Sequence, residues 1–287
     1  MNKYKKIITE DNSITYYSNA YKEYYHTIKG AKSEALYKFI IPSDLNQRLI
    51  NGKVRILDIA FGIGYNSLCS LDYKGEIEII SIEKDKTSCF LLLNEKNNIS
   101  KKWYNILTSL KEKGYYNDKN QFIKLIFDDA RNYMKIQNNI FDLIFLDPFS
   151  TKKNTELWTL DFFKLLYRAI DKNGLLITYS SALPVRSGLI KAGFYIGETD
   201  AFGRKRGGTI ATKNKELIKN DISELDRYLI TYSTAKIPYR DKKLQWSREE
   251  ILNYREKLIK KLVSKSLLKT VKKAIREKNI NTLYTKK

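Results

Sequence analysis

Two glycines and one carboxylate in this chain have the types and the spacing of a nucleoside-binding site. The apolar run VRILDIA leads into a bend that contains Phe61, Gly62 and Gly64, and Asn66 then opens a helical pattern. Glycine lets a backbone turn tightly or approach a ligand without an intervening Cβ. Glu83 ends the next apolar run, 21 positions after Gly62, where its carboxylate could accept hydrogen bonds from both hydroxyls of a ribose.

The rest of the glycine motif distinguishes two kinds of nucleotide ligand. A dinucleotide-binding G-x-G-x-x-G motif needs a third glycine, and Ser67 stands in its place, so the close fit around a pyrophosphate is missing. An adenosyl group without phosphates is therefore the better match. Asp58, which lies in the run before the bend, belongs to the same candidate site.

A second pair of candidates ends the third apolar run, FIKLIFDD. A carboxylate at Asp129, with the backbone amide of Ala130 beside it, could read the amino group and a ring nitrogen of adenine. Asp128 is the less favoured member of the pair. The alternative is that both acids lie in an ordinary loop and are solvated.

Asp147 is the candidate catalytic residue. It follows the fourth apolar run and precedes Pro148, at the carboxyl end of the expected sheet, where ligands of open α/β folds bind. A carboxylate in that place can orient a nucleophile and accept a proton from it. The alternative is an ordinary strand-end aspartate that turns the chain before Pro148.

Aromatic side chains near Asp147 are candidates for the walls of a base-binding pocket. A nucleobase that stacks on an aromatic face gains about 1 to 3 kcal/mol, and Phe149 and Trp158 are the two candidates. Either could equally belong to the core. For Trp158, which lies in a helical pattern, the core is the favoured interpretation.

Two clusters of basic residues could flank the same opening and hold phosphates. They are Lys152 and Lys153, in the loop after Asp147, and Arg204, Lys205 and Arg206, in the turn-like run AFGRKRG. A solvated turn is the alternative for the second cluster.

The elements that position these residues follow from the alternation of apolar runs and helical patterns between residues 54 and 213. The runs are VRILDIA, EIEIISIE, FIKLIFDD, FDLIFLD, GLLITYS, FYIGETD and GTIATK. Apolar strands that alternate with helices predict a doubly wound, mostly parallel α/β sheet of seven strands, covered on both faces. The short AFGRKRG connection between the last two runs predicts an antiparallel hairpin at the sheet edge.

Two segments flank this core. Residues 1–53 are polar and rich in tyrosine, and they predict a short β-hairpin and a helix through SEALYKFIIPSDLNQRLI that cap the mouth of the site. Residues 214–287 predict a basic, largely helical extension. The apolar positions of its last helical pattern are Ile251, Tyr254, Leu258, Leu262, Leu268, Val271 and Ile275.

The charge balance favours a polyanionic partner. The chain has 53 Lys and Arg against 32 Asp and Glu, a net charge of +21, which attracts nucleic acid through counterion release. The alternative explanation of the composition is an AT-rich or heat-adapted genome that encodes much lysine. Residues 251–287 alone carry twelve basic and two acidic residues, so we expect an RNA-facing helix there, with a plain packing helix or a membrane-surface helix as alternatives.

The cysteine count and the apolar pattern predict a cytoplasmic protein without a metal. Cys69 and Cys89, with one histidine, are too few for a disulfide framework or a zinc site, and both are expected to be small core residues on helices. Neither a signal-peptide core near Met1 nor a run of about 18 uncharged apolar residues is visible. We therefore expect no membrane association.

Over about residues 15–212, the chain resembles the methyltransferase half of the bifunctional bacterial tRNA-modifying enzyme MnmC and its stand-alone relatives. The resemblance rests on the helix start at residues 30–34 and on DIAFGIGYNSL, SIEKD, LDPFSTKKNTELWT, YSSALPVRSGLIKAGF and AFGRKRGGT. LDPFSTKKNTELWT and FGRKRG are far more specific than a glycine loop. Ala60 departs from the family, which often has glycine there, and we expect this methyl group to be sterically mild.

The resemblance implies a Rossmann-like class I methyltransferase that uses S-adenosyl-L-methionine and acts on the anticodon stem-loop of tRNA. The reaction it implies is methyl transfer to the primary amine of 5-aminomethyl(-2-thio)uridine at the wobble position, which gives the 5-methylaminomethyl product. It adds Glu34, Lys84 and Asp147 to the cofactor-binding candidates and places the amine beside Asp147. The FAD-dependent half of the bifunctional enzymes has no counterpart in this sequence, so we expect no FAD, and no obligate protein partner is evident.

Two other functions fit parts of the pattern. One is a transferase for another RNA, protein or small-molecule amine, including an aminopropyl transferase with a similar core. The other is a non-catalytic RNA-binding protein that retains a cofactor pocket. The mass of the product distinguishes the first, and calorimetry with S-adenosyl-L-methionine distinguishes the second.

Overall fold

A small antiparallel sheet opens the chain in the computed structural model, which describes residues 3–264. Its strands are β1 (Tyr4–Ile8), β2 (Ile14–Ser18) and β3 (Glu23–Tyr24), in that order. The predicted hairpin is therefore present and carries a third, two-residue strand. β2 is its buried member, because Ile14 packs into the core of the protein.

The helical segment that follows is broken, whereas the sequence predicts one helix through it. The pieces are α1 (Ala31–Ala35), a π-helical turn (Leu36–Ile40) and α2 (Leu45–Asn51). Pro42 lies at the break, where it has no N–H to donate and its ring clashes with the carbonyl of the preceding turn. Asp44 then adopts a left-handed conformation with φ of 55° before α2 begins.

The central sheet has eight strands in the order β10-β11-β9-β8-β4-β5-β7-β6. The strands are β4 (Val54–Ile59), β5 (Ile77–Glu83), β6 (Tyr115–Asn117), β7 (Gln121–Phe127), β8 (Phe141–Leu146), β9 (Ile170–Thr178), β10 (Tyr195–Glu198) and β11 (Thr209–Thr212). β4, β5, β7, β8 and β9 pair in parallel, and β10 and β11 form the expected antiparallel edge. The predicted α/β fold is confirmed, with β6 added as an antiparallel strand at the other edge.

Helices cover both faces of this sheet. They are α3 (Tyr65–Leu71), α4 (Lys101–Lys113), α5 (Ala130–Ile136), α6 (Leu160–Ala169), α7 (Leu183–Ala192), α8 (Glu224–Tyr232) and α9 (Arg248–Ser264), with 3-10 turns at Leu91–Asn98, Thr155–Trp158, Lys215–Leu217 and Thr234–Lys236. Successive strand residues point to opposite faces. Ile56 packs with α1 to α4, and Leu57 packs with α5 to α9. Each fully buried aliphatic side chain contributes about 1.5 to 3 kcal/mol relative to an exposed one.

The parallel strands bring the candidate site residues to one edge of the sheet. Glu83 ends β5, Asp128 follows β7 and Asp147 follows β8, all at carboxyl ends that point the same way. The N-terminal sheet is fastened to this edge, because Glu23 accepts hydrogen bonds from the backbone N–H and the hydroxyl of Ser150 at 3.1 and 2.5 Å.

The remaining expectations on the fold concern the cysteines and the end of the chain. Both cysteines are buried, Cys69 in α3 and Cys89 in a turn rather than in a helix. The first four apolar positions of the C-terminal pattern lie in α9, where Ile251 is fully buried; Leu268, Val271 and Ile275 lie outside the described residues. Among residues 3–264, the helices are too short or too polar to cross a membrane.

Candidate active site

A cavity of about 560 Å³ opens at the carboxyl edge of the central sheet. Eight of the residues predicted for cofactor or substrate line it: Glu34, Gly62, Glu83, Lys84, Asp129, Ala130, Asp147 and Phe149. Residues between 17 and 28 form a further wall, which is the position expected for the N-terminal segment. The other cofactor candidates, Asp58, Phe61, Gly64 and Asn66, are buried and do not belong to the described lining.

Three residues of the bend after β4 have left-handed backbone conformations. Gly62 has φ of 60° and Gly64 has φ of 97°, and a Cβ added to Gly64 would lie 2.6 Å from the ring of Phe61. Both glycines are therefore required by conformation. Ala60 also has a positive φ, of 68°, which costs an L-residue roughly 1 to 2 kcal/mol. The expectation that Ala60 is mild was wrong, because the strain lies in the backbone and not in packing.

The Glu83 carboxylate is held by three backbone amides. Oε2 accepts a hydrogen bond from the N–H of Gly62 at 2.9 Å, and Oε1 accepts from those of Lys84 and Asp85 at 2.7 and 2.8 Å. Burial raises the pKa of Glu83, and these donors oppose the rise. A carboxylate has about four acceptor positions, so a ribose bound here would share the oxygens with the backbone.

Asp129 is both a wall of the cavity and the N-cap of α5. Its Oδ1 accepts hydrogen bonds from the backbone N–H and Nε of Arg131 at 3.0 and 3.1 Å, and its Oδ2 accepts from Nη2 of Arg131 at 2.8 Å and from Nζ of Lys84 at 3.4 Å. Although burial raises the pKa of Asp129, the bonds and charge of Arg131 outweigh it and hold the pKa at about 2. Asp128 also lines the cavity, so the structure leaves both acids as adenine candidates.

Asp147 lies between a hydrogen-bond donor and a second carboxylate. Its Oδ2 accepts a 2.8 Å hydrogen bond from Nδ2 of Asn66. Burial and the charge of Glu34 raise the pKa of Asp147 well above its usual range, and the bond from Asn66 opposes this. Glu34 itself accepts from Nζ of Lys38 and from the backbone N–H of Thr27. Asp147 therefore has a higher proton affinity than an ordinary aspartate.

Asp58 is fully buried beneath the glycine bend. Its Oδ2 accepts a 2.6 Å hydrogen bond from the hydroxyl of Ser67, whereas its Oδ1 has no hydrogen-bond partner among the described residues. Burial raises the pKa of Asp58 to about 7.

The cavity is acidic although the protein is strongly basic. The carboxylates of its lining are Glu23, Glu34, Glu83, Asp85, Asp128, Asp129, Asp147 and Glu156, against the two cations Lys22 and Lys84 among the described lining residues. The chain as a whole carries +21. This arrangement favours cationic groups inside and polyanions outside. Within residues 3–264, no group of three or more His, Cys, Asp and Glu is arranged to hold a metal ion.

The two aromatic candidates have different surroundings. Phe149 lines the cavity and stacks on Tyr21 from the N-terminal segment, with ring centroids 4.4 Å apart at 23°. Trp158 is fully buried and donates from Nε1 to the carbonyl of Phe149 at 2.9 Å. Trp158 is thus a core residue that supports the backbone of Phe149, which agrees with the favoured interpretation.

The basic candidates do not form one uniform surface. Arg204 lies over the ring of Tyr179, 5.5 Å from its centroid, and Tyr179 lines the cavity. Lys205 is exposed in the same turn. Arg206 is exposed and pairs with the buried carboxylate of Asp226. In the other cluster, Lys152 is exposed and Lys153 is half-buried.

Several residues at the cavity were not identified from the sequence. The tyrosine-rich composition of residues 1–53 was the available signal for Tyr21 and Tyr25. His26 also lines the cavity, and burial lowers its pKa to about 4. Arg131, which holds Asp129, lies two positions after that candidate and was not predicted as a site residue.

The chain is similar to known proteins in sequence and in structure. A family model described as S-adenosyl-L-methionine-dependent methyltransferase matches residues 94–214. The crystal structure of MnmC2 from Aquifex aeolicus is 34% identical, covers 91% of this chain and 86% of that chain, and has a TM-score of 0.79. An uncharacterized protein of Methanocaldococcus jannaschii is 36% identical over 263 residues, which are 90% of this chain and 73% of that protein.

A bifunctional relative is similar over a smaller share of its length. The tRNA 5-methylaminomethyl-2-thiouridine biosynthesis bifunctional protein MnmC of Leptospira interrogans is 26% identical over 238 residues. These residues are 76% of this chain and 37% of that protein. The chain therefore matches little more than a third of the bifunctional protein.

Proposed function

Because this chain belongs to the MnmC-like family of S-adenosyl-L-methionine-dependent methyltransferases, we propose that it methylates the primary amine of 5-aminomethyl(-2-thio)uridine at the wobble position of tRNA. The observation that carries the proposal is the acidic cavity in a protein of net charge +21. Carboxylates suit a sulfonium cofactor and an ammonium substrate, and the basic exterior suits the RNA that carries the amine. The cytoplasm is the proposed location.

The residues of the cavity fit the cofactor. S-adenosyl-L-methionine supplies an electrophilic methyl group on a positively charged sulfur. In this proposal Glu83 holds the ribose, and Asp129 and the amide of Ala130 hold the adenine. The positive charge of the ligand is favoured by the negative charge of Glu34, which lines the cavity and acts on Asp147. The buried Asp58 beneath the glycine bend acts in the same sense.

Asp147 has two roles in the proposed reaction. An alkyl amine with a pKa near 10 is protonated at pH 7, and removing that proton costs roughly 4 kcal/mol. Oδ1 and Oδ2 of Asp147 accept hydrogen bonds from the ammonium group, which orients its nitrogen, and the carboxylate then takes the proton. The raised pKa of Asp147 narrows the mismatch between the two groups.

The target base and its phosphates meet the cavity rim. We propose that Phe149 contacts the uracil ring, and that Lys152, Lys153, Arg204 and Lys205 contact phosphates of the anticodon loop. This assignment is supported by the cavity position of Phe149 and by the exposure of Lys152 and Lys205.

The experiment incubates the protein with labelled S-adenosyl-L-methionine and tRNA that contains 5-aminomethyl(-2-thio)uridine, followed by nucleoside mass analysis. We expect the 5-methylaminomethyl nucleoside. Asp147→Ala should bind the cofactor and lose at least roughly 100-fold in turnover. Label in another nucleoside would refute the wobble assignment, and near-wild-type turnover of Asp147→Ala would remove this residue from the mechanism. A three-carbon addition in a parallel incubation with decarboxylated S-adenosyl-L-methionine would indicate an aminopropyl transferase.

A further inference from the structure

One buried arginine connects the C-terminal extension to the wall of the cavity. Nη1 of Arg131 donates to Oδ2 of Asp241 at 2.7 Å and to the carbonyl of Trp246 at 2.9 Å. The same guanidinium donates from Nε and Nη2 to Asp129 at 3.1 and 2.8 Å. Asp129 lines the cavity, whereas the described residues of the extension do not.

The side chain of Asp241 is held in place by hydrogen bonds within the extension. Oδ1 of Asp241 accepts hydrogen bonds from the backbone N–H groups of Gln245 and Trp246 at 3.0 and 3.1 Å, and the side chain is fully buried. The aspartate is therefore held by the turn that follows it. Its second oxygen, Oδ2, accepts the hydrogen bond from Arg131 and so positions the guanidinium.

A guanidinium transmits this position because it is planar and rigid. Four of the five N–H donors of Arg131 are used in the contacts with Asp129, Asp241 and Trp246. The Arg131 guanidinium thus sets the distance between the carboxylates of Asp129 and Asp241, which lie 112 positions apart in the sequence. Without Asp241, Arg131 would keep its hydrogen bonds to Asp129, but the two side chains could then move together as a pair.

We propose that Asp241 and Arg131 are positioning residues that hold the Asp129 carboxylate in place for the adenosyl group of the cofactor. The extension is then part of the cofactor site, beyond any role in RNA binding. The inference rests on the proposed function for the identity of the ligand.

The decisive variant is Asp241→Asn, assayed in the full-length protein. Its remaining oxygen can still accept from Gln245 and Trp246, but its amide cannot accept from Arg131. We expect the Kd and KM for S-adenosyl-L-methionine to rise about 10-fold, as for the loss of one charged hydrogen bond. The kcat at saturating cofactor and the KM for tRNA should not change.

A double-mutant cycle distinguishes positioning from general stabilisation. Asp129→Asn should weaken cofactor binding, and Asp129→Asn with Asp241→Asn should weaken it no further, because both changes act through one carboxylate. The matched control is Arg227→Gln, which removes a 2.6 Å ion pair to Asp221 within the extension and involves neither Asp241 nor its partners. It should leave cofactor affinity unchanged.

Each outcome decides the inference. Wild-type cofactor affinity in folded Asp241→Asn, additive effects in the cycle, or a loss of affinity in Arg227→Gln overturns it. If Asp241→Asn does not fold, Arg131→Lys serves instead, because a single ammonium cannot span both carboxylates, and unchanged cofactor affinity there overturns it too. A wild-type protein that does not bind the cofactor refutes the proposed function as well, whereas binding without a variant effect refutes the positioning alone.

Discussion

Nδ2 of Asn66 donates a 2.8 Å hydrogen bond to Oδ2 of Asp147, across 81 positions of sequence. Asn66 lies in α3, directly after the glycine bend, and Asp147 follows β8. This bond therefore joins the part of the site assigned to the cofactor to the part assigned to the amine. It also opposes the rise in the pKa of Asp147 that burial and Glu34 produce.

Replacing Asn66 with Ala should shift the acid limb of the pH profile of kcat/KM to higher pH. The carboxylate of Asp147 must be ionised to accept a proton, so activity falls as the pH drops through its pKa. Loss of the donated hydrogen bond raises that pKa further. The measurement is kcat/KM for tRNA against pH in the wild type and the variant.

Glu34→Gln provides the test in the opposite direction. The negative charge of Glu34 raises the pKa of Asp147 and its neighbour Lys38 lowers it, so removing the carboxylate should move the acid limb to lower pH. Shifts of the same sign in both variants would contradict the assignment of this limb to Asp147.

Replacing Ala60 with Gly should stabilise the protein by about 0.5 to 1 kcal/mol. Glycine removes the backbone strain at a φ of 68°, and its greater freedom in the unfolded chain offsets part of the gain. Urea unfolding of both proteins measures the difference. Ala192→Gly, in α7, is the control and should destabilise by up to about 1 kcal/mol; an unstable Ala60→Gly would show that the methyl group has a packing role.

Lys205 and Arg206 should have separable effects, although they are adjacent. Lys205→Ala should reduce the slope of log K for tRNA binding against log salt concentration by about one, the loss expected for one phosphate contact. The melting temperature should not change. Arg206→Ala should lower the melting temperature, because it removes one partner of the buried Asp226. Binding assays over a range of salt concentrations, with thermal melts, measure both quantities.

The control for that comparison is Lys119→Ala. Lys119 is exposed in the turn between β6 and β7, at the amino ends of the parallel strands and away from the cavity. It should leave the salt slope unchanged, and an equal loss of slope in Lys119→Ala and Lys205→Ala would mean that RNA binding is not localised at the rim.

His26 should make the protein less stable as the pH falls from about 6.5 to about 4. Burial lowers the pKa of His26 from 6.5 to about 4 in the folded state, so the unfolded chain binds the extra proton in this interval and stability rises with pH across it. The contribution is about 3 kcal/mol, present above pH 6.5 and lost toward pH 4. The free energy of unfolding against pH should lose this dependence in His26→Gln, and parallel curves for both proteins would refute it.

The sequence was informative wherever a local pattern determines a position in the sheet. Gly62 and Glu83 were expected to face one ligand from their spacing; the structure places both in the cavity lining, with the N–H of Gly62 donating to Glu83. The family resemblance, read from LDPFSTKKNTELWT and FGRKRG, is confirmed by the likeness to MnmC2. Strand ends are predictable because the apolar runs and the acidic residues that end them can be read directly from the amino-acid sequence.

Contacts between distant segments were not predictable in the same way. Arg131 and Asp241 lie 110 positions apart, and nothing in their local sequences pairs them. The positive φ of Ala60 is a property of the bend and not of the residue type. The pairing of Arg206 with Asp226 likewise depends on where α8 packs.

The hydrogen bonds between Ser150 and Glu23 join two residues that lie 127 positions apart in the chain. Closing so long a loop carries a large entropic penalty, and contacts of long sequence separation slow folding. We expect the wall formed by the N-terminal segment to be added after the central sheet has formed. A ligand that needs this wall then contributes little to the transition state for folding, and its binding slows unfolding rather than accelerating folding.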